Sequence, residues 1–376
     1  MITTNSPKRK PHFIHTLMCA FVFLLLSNTA LAQLRLDPKT TLTHIALGSC
    51  ARQNQPQPIW STIVKSKPQL FLFIGDNIYG DTENMNTLRS KYAQLGNIEG
   101  YKKLLNTCPL LATWDDHDYG RNDAGIEYAK KVESQKIFLE FYKEPKNSPR
   151  WNRPGVYNSY IFGPANKRVQ IILLDTRYFR SPLKKWPRGA RKTPGPYMAD
   201  PDPIKTMLGD AQWTWLKDEL KNPAQLRIIA SSIQVVPDQH GWEYWQTLPL
   251  QRSKLFKLIG ETNANGVIFI SGDRHLAEIS KLAATDKQNG AGYPIYDLTS
   301  SSLNVPSGGN ANEINRHRIG GNYRKINFGS IKINWNKDTT PNAIATVQLS
   351  IHDITGATVR TVTIDAATLE KSSSKK

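Results

Sequence analysis

Six short apolar runs recur along the 376-residue chain, and most of them end directly in a cluster of polar residues. The runs are residues 43–47, 70–74, 110–114, 169–174, 228–236 and 267–271. Near-continuous apolar runs of this length are typical of strands that are covered on both faces. Helix-like segments lie between them, and residues 208–221 and 255–261 carry apolar stripes. Strands that alternate with helices predict an α/β fold, with the six runs in one sheet system.

The last part of the chain has a different pattern. Residues 327–335, 343–352 and 358–364 alternate apolar and polar side chains, and Asp353–Gly356 supplies a turn. This alternation predicts an antiparallel meander or hairpin that completes a sheet. We find no internal repeat and no long low-complexity linker. We therefore expect a single domain over residues 33–370, followed by a flexible basic tail at 371–376.

The N-terminal 32 residues have the pattern of a secretory signal. Three basic residues, 8–10, precede the apolar run 17–26, and residues 27–32 (SNTALA) end in the small-x-small pattern of a cleavage site. Ten apolar residues span only about 15 Å as a helix, roughly half of a bilayer core. The sequence predicts a cleaved Sec-type signal at 1–32, a periplasmic or secreted protein, and no stable membrane insertion.

The net charge of the chain limits the classes of binding partner but does not select one of them. The formal net charge is +18, and residues 1–32 contain three basic and no acidic residues, which leaves +15 for the rest of the chain. Such a surface favours anions such as phosphoesters, acidic polymers or lipid headgroups, although a lysine-rich solvated surface explains the charge equally well. Three cysteines are too few for a disulfide scaffold, and their spacing does not indicate a zinc ribbon.

The polar clusters after the apolar runs hold the residues that could carry chemistry. In open α/β sheets, binding sites form beyond the carboxyl ends of the strands. The candidate metal ligands are Cys50, Asp76, Tyr79, Asp115, Asp116, Asp118, Asp273 and His275, and His117 lies among them. The spacing Asp76-x-x-Tyr79 lets both side chains reach one point from a tight loop. The spacing Asp273-x-His275 places two side chains on one face if the segment is extended.

Mixed oxygen, nitrogen and sulfur donors from several strands indicate a metal site rather than an acid–base pair alone. A tyrosine titrates near pH ~10, so a phenolate ligand at neutral pH requires a strong Lewis acid such as Fe³⁺. Aspartate oxygens suit a hard ion such as Ca²⁺, other divalent ions being possible, and Asp76 could bridge two ions. Paired metal ions clamp the attacking and leaving oxygens of phosphoryl transfer.

Each of these features could also have a purely structural role. The GDxxY loop could be a turn stabilised by its aspartate. Residues 115–118 could be a solvated acidic loop, and His275 could be a core histidine. Cys50 could pair with Cys108 as a disulfide in an oxidising compartment. Their joint position after successive apolar runs favours the metal centre.

The same residues carry a family resemblance. The matching segments are residues 48–50 (GSC), 75–81 (GDNIYGD), 113–123 (TWDDHDYGRND), 208–220, 231–245 and 271–280 (SGDRHLAEIS). They resemble the alkaline phosphatase D family of calcineurin-like metallophosphoesterases. The resemblance implies a four-layer α/β/β/α sandwich with mixed sheets. It also implies Fe³⁺ held by Cys50, Asp76 and Tyr79, with Asp273 or His275 nearby, and Ca²⁺ held by Asp76 and the 115–118 loop.

The function implied is a secreted, metal-dependent phosphoesterase that hydrolyses phosphomonoesters or phosphodiesters, some relatives being phospholipase C-like. We expect attack by a metal-bound hydroxide, and a small phosphoester or a phospholipid as the substrate of a monomeric enzyme. Asp116 belongs to the catalytic loop, and Asn122 and Arg121 could contact the phosphate. His117 could protonate the leaving group or bind metal. The role of His240 is left open.

Two basic loops could bring anions to such a site. Residues 177–192 hold seven basic and no acidic residues, and residues 315–325 form a second, glycine-containing basic loop. These loops could steer anionic substrates, or could be ordinary exposed loops. The rival function is a non-catalytic extracytoplasmic module that binds acidic polymers or nucleic acid; for the enzyme, nucleic acid is relevant only as a substrate.

Overall fold

Two six-stranded sheets lie at the centre of the computed structural model, which describes residues 1–2, 36–307, 313–336 and 344–371. Of the predicted signal at 1–32 only residues 1–2 are described, and of the predicted tail at 371–376 only residue 371 is described. The rest of both segments lies outside the described residues. In the described part the first sheet has the strand order β12-β11-β10-β1-β2-β3. Its strands are β1 (His44–Gly48), β2 (Leu70–Ile74), β3 (Leu110–Thr113), β10 (Asn327–Trp335), β11 (Ile344–Asp353) and β12 (Thr358–Asp365).

The second sheet has the order β4-β5-β6-β7-β9-β8. Its strands are β4 (Asn158–Phe162), β5 (Val169–Leu173), β6 (Leu226–Ala230), β7 (Val267–Ser271), β8 (Ala277–Leu282) and β9 (Ile295–Ser300). Strands β5, β6, β7 and β9 are parallel, whereas the edge strands β4 and β8 are antiparallel. In the first sheet β1, β2 and β3 are parallel, and the C-terminal strands β10–β12 are antiparallel, as the alternation predicts.

The period-two geometry of a strand explains the layers. Ile45 and Leu72 belong to the core shared with the second sheet, whereas their neighbours Ala46, Phe71 and Phe73 belong to a core shared with helices. Those helices are α1 (Ile59–Lys65), α2 (Met85–Asn97), α3 (Glu99–Leu105) and α5 (Lys131–Phe141). Helices α6 (Gly209–Glu219) and α7 (Pro249–Glu261) pack with the second sheet. The predicted four-layer α/β/β/α sandwich with mixed sheets is confirmed.

The six apolar runs divide between the two sheets of the sandwich. The first three form β1, β2 and β3 of the first sheet, and the other three form β5, β6 and β7 of the second sheet. Both faces of all six strands are covered, by the other sheet and by helices, so their sequences carry no mark of the sheet to which they belong. Within the described residues, no helix combines the length and apolar character needed to cross a membrane.

Candidate metal centre

The loops that follow six strands, three from each sheet, meet at one place. Cys50 follows β1, and its Sγ lies 3.3 Å from Oδ2 of Asp76, which follows β2. Asp115 follows β3 and accepts hydrogen bonds from Ser232 after β6 (2.6 Å) and from Arg177 after β5 (2.5 Å). The two sheets therefore contribute to a single buried cluster of thiol and carboxylate groups.

Four residues of the cluster have left-handed backbone conformations that non-glycine residues rarely adopt. The φ angles are 59° at Cys50, 50° at Asp76, 67° at Asp273 and 54° at His275. The segment Asp273–His275 is therefore a bend and not the extended segment that the spacing predicts. Each such residue costs on the order of 1–3 kcal/mol, and such strain is concentrated at functional sites.

The described residues form four overlapping groups of potential ligands, and two of these groups, which share the carboxylate of Asp76, differ most in their donor atoms. Potential ligand atoms of Cys50, Asp76 and His275 all lie within 4.8 Å of one another. The Tyr79 hydroxyl lies 2.9 Å from Nε2 of His275, which adds a phenol to this first group. In the second group, carboxylate oxygens of Asp76, Asp115, Asp116 and Asp273 lie within the same distance. Asp76 is thus placed to bridge two ions.

Two atoms at the centre are buried with no hydrogen-bond partner among the described residues: Oδ1 of Asp76 and Oδ2 of Asp115. Burial, followed by the neighbouring Cys50 and Asp116, raises the pKa of Asp76 well above its usual range. Burial likewise raises the pKa of Asp273, with repulsion from Asp115 and Asp116 adding to it. A cation would satisfy the orphaned oxygens and relieve the repulsion, so the residues present fit metal ions.

An ion pair holds one side of the cluster. Arg177 is fully buried and pairs with Asp115 on one side and with Glu243 (2.5 Å) on the other. Burial raises the pKa of Asp115 to about 6, although Arg177 opposes this effect. The pKa of Asp116 is below its usual range: burial opposes ionisation there, but His117 and Arg177 outweigh it.

His117 lies at the exposed side of the centre. Its Nδ1 lies 2.7 Å and 2.9 Å from the two carboxylate oxygens of Asp81, and its ring packs on Tyr79 with the ring centroids 4.1 Å apart. Burial lowers the pKa of His117, but Asp116 and Asp81 outweigh it and raise the pKa to about 9. A ring nitrogen of His117 also lies within 4.8 Å of carboxylate oxygens of Asp76 and Asp116, so Asp81 orients the imidazole at a place where it could carry a proton or bind a metal ion.

A cavity of about 360 Å³ opens beside these groups. Its wall includes Asp116, His117, Asn122, Asp273 and His275. Further wall residues, not predicted as site residues, include Asp123, Trp242, Glu243, Arg274, Glu313 and Arg324. The cavity is large enough for a phosphoryl group and a small substituent next to the potential ligands.

Known proteins share the sequence pattern of most of this chain. The family model described as PhoD-like phosphatase matches residues 45–340, most of the chain. The chain belongs to the PhoD-like phosphatase family. It is 23% identical over 288 residues to alkaline phosphatase D of Bacillus subtilis (strain 168), covering 66% of this chain and 48% of that protein. The chain thus spans about half the length of this curated relative.

Solved structures agree on the fold. A structure titled "Structure of PhoD" superposes with a TM-score of 0.61 at 20% identity, covering 87% of this chain and 73% of the other. A dimetal phosphatase from Danio rerio gives 0.52 at 10% identity, with 87% and 100% covered. A Plasmodium protein, titled GAP50 the anchor in the inner membrane complex, gives 0.55 at 13% identity, with 87% and 89% covered. The PhoD-like chain therefore has the metallophosphatase fold.

Two of the predicted site residues are not brought to the PhoD-like centre. Asp118 accepts hydrogen bonds from the Asn77 side chain and the Asp115 backbone N–H, both at 2.6 Å, and closes the turn of the short helix α4 (Asp116–Tyr119). Arg121 is exposed and lies 3.6 Å from Glu127. Asp118 shapes the loop that carries Asp115 and Asp116, and Arg121 does not line the cavity.

The sequence leaves open whether Cys50 forms a disulfide and what surrounds His240. The structure gives the contacts of both residues. Cys50 and Cys108 are both buried free thiols, so the disulfide is not formed. Burial raises the pKa of Cys50 to about 11. His240 is buried, its Nδ1 accepts a hydrogen bond from the Trp242 backbone N–H at 3.1 Å, and burial lowers its pKa well below the usual value. Its ring is therefore neutral, and its buried Nε2 has no hydrogen-bond partner among the described residues.

The basic loop 177–192 is only partly a surface feature. Arg177 and Arg180 are fully buried and pair with Glu243, so they neutralise the interior instead of steering substrate. Lys184, Lys185 and Arg188 are exposed, as are Arg191 and Lys192. Five basic residues of the seven therefore remain available to the solvent.

Sequence reasoning missed several residues that the structure places at the centre. Asp81 binds His117, Glu243 binds Arg177, and Asp123 donates its backbone N–H to Asp116 at 2.7 Å. All three belong to segments that carry the family resemblance, namely 75–81, 113–123 and 231–245. The sequence does not distinguish the carboxylates of Asp81 and Glu243 from those of turn residues, because their partners lie 36 and 66 residues away. Asp123 contributes a backbone N–H, a group that every residue except proline carries.

Proposed function

We propose that this chain is a metal-dependent phosphoesterase that hydrolyses phosphomonoesters, phosphodiesters or both. The observation that carries the proposal is the shared carboxylate of Asp76, which joins two ligand groups beside a cavity and keeps an unpartnered buried oxygen. Ions bridged in this way are typical of sites that perform phosphoryl transfer. The PhoD-like family and the dimetal phosphatase neighbour support the same chemistry.

The donor sets support different ions in the two groups. We infer Fe³⁺ for Cys50, Asp76, Tyr79 and His275, because thiol, phenol and imidazole donors suit it. We infer Ca²⁺ or another hard divalent ion for the group of four aspartates. Bound there, the ions would activate a water molecule and neutralise the phosphoryl oxygens.

The chain's own residues complete the reaction. His117 lines the cavity and is held by Asp81, so its protonated imidazole can deliver a proton to the leaving alkoxide. Asn122 lines the same wall and can donate hydrogen bonds to a phosphoryl oxygen. Buried Arg177 neutralises Asp115 and leaves one of its oxygens for metal.

We infer that the enzyme acts outside the cytoplasm, since residues 1–32 have the pattern of a Sec-type signal and the exposed basic loops suit anionic substrates. We also infer that residues 33–370 form the catalytic domain. A small phosphoester or a phospholipid headgroup are the substrate classes that this cavity suits.

The test is Asp76→Asn. The variant is expected to lose metal from both groups and to lower kcat on an aryl phosphomonoester and an aryl phosphodiester by about a hundredfold or more, since even the loss of an outer partner of a ligand costs 10–100-fold. Metal analysis and the tyrosinate–iron absorption band are measured on the same samples.

The matched control is Asp218→Asn, an exposed aspartate on α6, which is expected to keep both turnover and metal. Turnover of Asp76→Asn at the wild-type level with full metal content would contradict the proposal. A wild-type protein with neither metal nor turnover would favour the rival function, a module that binds acidic polymers.

A further inference from the structure

A second cavity, of about 650 Å³, lies beside the first. Pro194 and Glu313 line both cavities, so the two spaces share a wall. Among the described residues, the carboxylates at this wall are neutralised. Glu313 pairs with both its oxygens to the Arg274 guanidinium at 2.8 Å, and Asp238 pairs with Arg316. An anionic substrate in the first cavity therefore meets no uncompensated negative charge at the boundary.

Backbone hydrogen bonds within the loop that forms this wall define its conformation. Lys185 and Tyr197 form an isolated antiparallel bridge, with Trp186 N–H donating to Pro196 (3.0 Å) and Met198 N–H to Lys184 (2.9 Å). These bonds make residues 184–198 a narrow hairpin-like loop, which we call the wall loop. It overlaps the basic segment 177–192 at residues 184–192.

The wall loop is fastened to the segment that carries Trp242 and Glu243. Gly195 N–H donates to His240 (2.8 Å), and Tyr197 N–H donates to Gly241 (2.9 Å). A Cβ at position 195 would lie 1.9 Å from the carbonyl carbon of Gly241, so glycine is required at this contact. The position of Pro194 between the two cavities is therefore fixed by backbone contacts.

The lining of the second cavity suits a planar apolar group. Trp186, Tyr197 and Tyr244 supply aromatic side chains, and Ile314 supplies an exposed aliphatic one. The indole N–H of Trp186 donates to Thr193 at 3.1 Å, which fixes the orientation of the ring. The amides of Gln239 and Gln246 add hydrogen-bonding groups, and Lys192 adds a positive charge. Aromatic side chains with nearby amides and a cation are what a flat, polar-edged ring requires.

We propose that the second cavity is a subsite for an aromatic substituent of the substrate, an aryl or nucleobase group attached to the phosphate that lies in the first cavity. The proposal rests on the proposed function. It makes the wall loop a determinant of substrate specificity. An aromatic substituent on the phosphate would extend past Pro194 into the second cavity, whereas a methyl substituent would remain in the first cavity.

The test compares two phosphodiesters that share the leaving group 4-nitrophenolate, bis(4-nitrophenyl) phosphate and methyl 4-nitrophenyl phosphate. Trp186→Ala is expected to lower kcat/KM for the diaryl ester about tenfold, the size of one lost stacking contact, and to change the methyl ester less than twofold. Ile314→Ala, at a side chain 67% exposed, is expected to act in the same direction without a folding cost. Trp186→Phe is expected to restore most of the preference.

The matched control is Trp215→Ala, a half-buried tryptophan on α6 that packs on Tyr157 and does not line the cavity. It is expected to leave the ratio of the two kcat/KM values unchanged. Equal losses on both esters in Trp186→Ala and Ile314→Ala, or no loss on either, would overturn the subsite while the proposed function stands.

A binding measurement separates this proposal from the proposed function. Calorimetry compares phenylphosphonate with methylphosphonate on the metal-loaded protein, and needs no turnover. Tighter binding of the phenyl compound that is lost in Trp186→Ala would support the subsite even in a protein that does not hydrolyse esters. Equal Kd values for the two phosphonates in the wild type would refute it.

Discussion

The two imidazoles that line the cavity lie in opposite electrostatic surroundings. Asp116 and Asp81 raise the pKa of His117 to about 9 against the effect of burial. Burial, with repulsion from His117, lowers the pKa of His275 to about 4. At neutral pH these shifts favour a protonated His117 and a neutral His275, the form of imidazole that binds metal. Their sequence contexts are alike, and only the tertiary partners separate the two roles.

Asp81→Asn tests the first of these roles. Without the carboxylate, the pKa of His117 falls, so the protonated imidazole is present only at lower pH. The basic limb of the kcat–pH profile is expected to move to lower pH, and kcat at pH 8 is expected to fall about tenfold for an alkyl ester. The measurement is the pH profile with an alkyl and a 4-nitrophenyl ester.

The leaving group supplies the control. A 4-nitrophenolate leaves without protonation, so its kcat is expected to change little in Asp81→Asn. A purely structural effect of the substitution would lower kcat for both esters to the same extent. An unmoved basic limb with the alkyl ester would exclude His117 as the proton donor.

At the scale of elements, the sequence predicted the buried strands well and the edges poorly. Strands β2 and β7 begin and end at the predicted residues, because strands covered on both faces read as unbroken apolar runs. The edge strand β4 is only half-buried, and its sequence (NSYIF) has no such run. The division of β1–β3 and β5–β7 between two sheets depends on contacts between side chains that are distant in sequence.

The residues of the candidate site were likewise predicted only in part. Cys50, Asp76 and Asp273 were predicted because they follow apolar runs, and the structure brings them together. Asp118 satisfied the same rule, but its carboxylate closes a helical turn. Sequence spacing indicates which residues reach a strand end. It does not indicate whether a carboxylate there faces a backbone N–H or the cavity.

Arg177 links elements of the two sheets, and Arg177→Met tests this link. The guanidinium after β5 joins Asp115 after β3 to Glu243 in the segment after β6. Methionine keeps much of the volume but leaves buried Asp115 without a cation, and it leaves Glu243 paired with Arg180 alone. The free energy of unfolding is expected to fall by about 3–5 kcal/mol, measured from urea denaturation at pH 7.

Arg89→Met is the matched control for that measurement. Arg89 also pairs with a carboxylate, Glu140, but its side chain is 47% exposed. An exposed ion pair contributes about 0–1 kcal/mol, so this variant is expected to unfold close to the wild type. Equal denaturation midpoints for Arg177→Met and the wild type would show that the two sheets do not depend on this ion pair.

At the scale of the whole molecule, the charge is divided between surface and interior. The chain has a net charge of +18, yet the centre collects Asp76, Asp115, Asp116 and Asp273 within reach of one another. The positive charge of the surface does not neutralise that cluster, since solvent screens it over about 10 Å. Arg177 compensates only part of the cluster. Cations bound at the centre are therefore expected to stabilise the folded state as well as to take part in catalysis.

Metal removal tests this expectation. A ligand that binds only the folded state adds RT ln(1 + [L]/Kd), about 2.7 kcal/mol at a hundredfold excess over Kd. Treatment with a chelator is expected to lower the Tm, and titration with Fe³⁺ and Ca²⁺ is expected to restore it in proportion to the logarithm of the metal concentration. Asp218→Asn is expected to respond as the wild type does, and Asp76→Asn to respond weakly. If metal-free and metal-loaded wild type melt at the same temperature, the buried carboxylates are held in their protonated forms, and the cluster does not depend on cations for its stability.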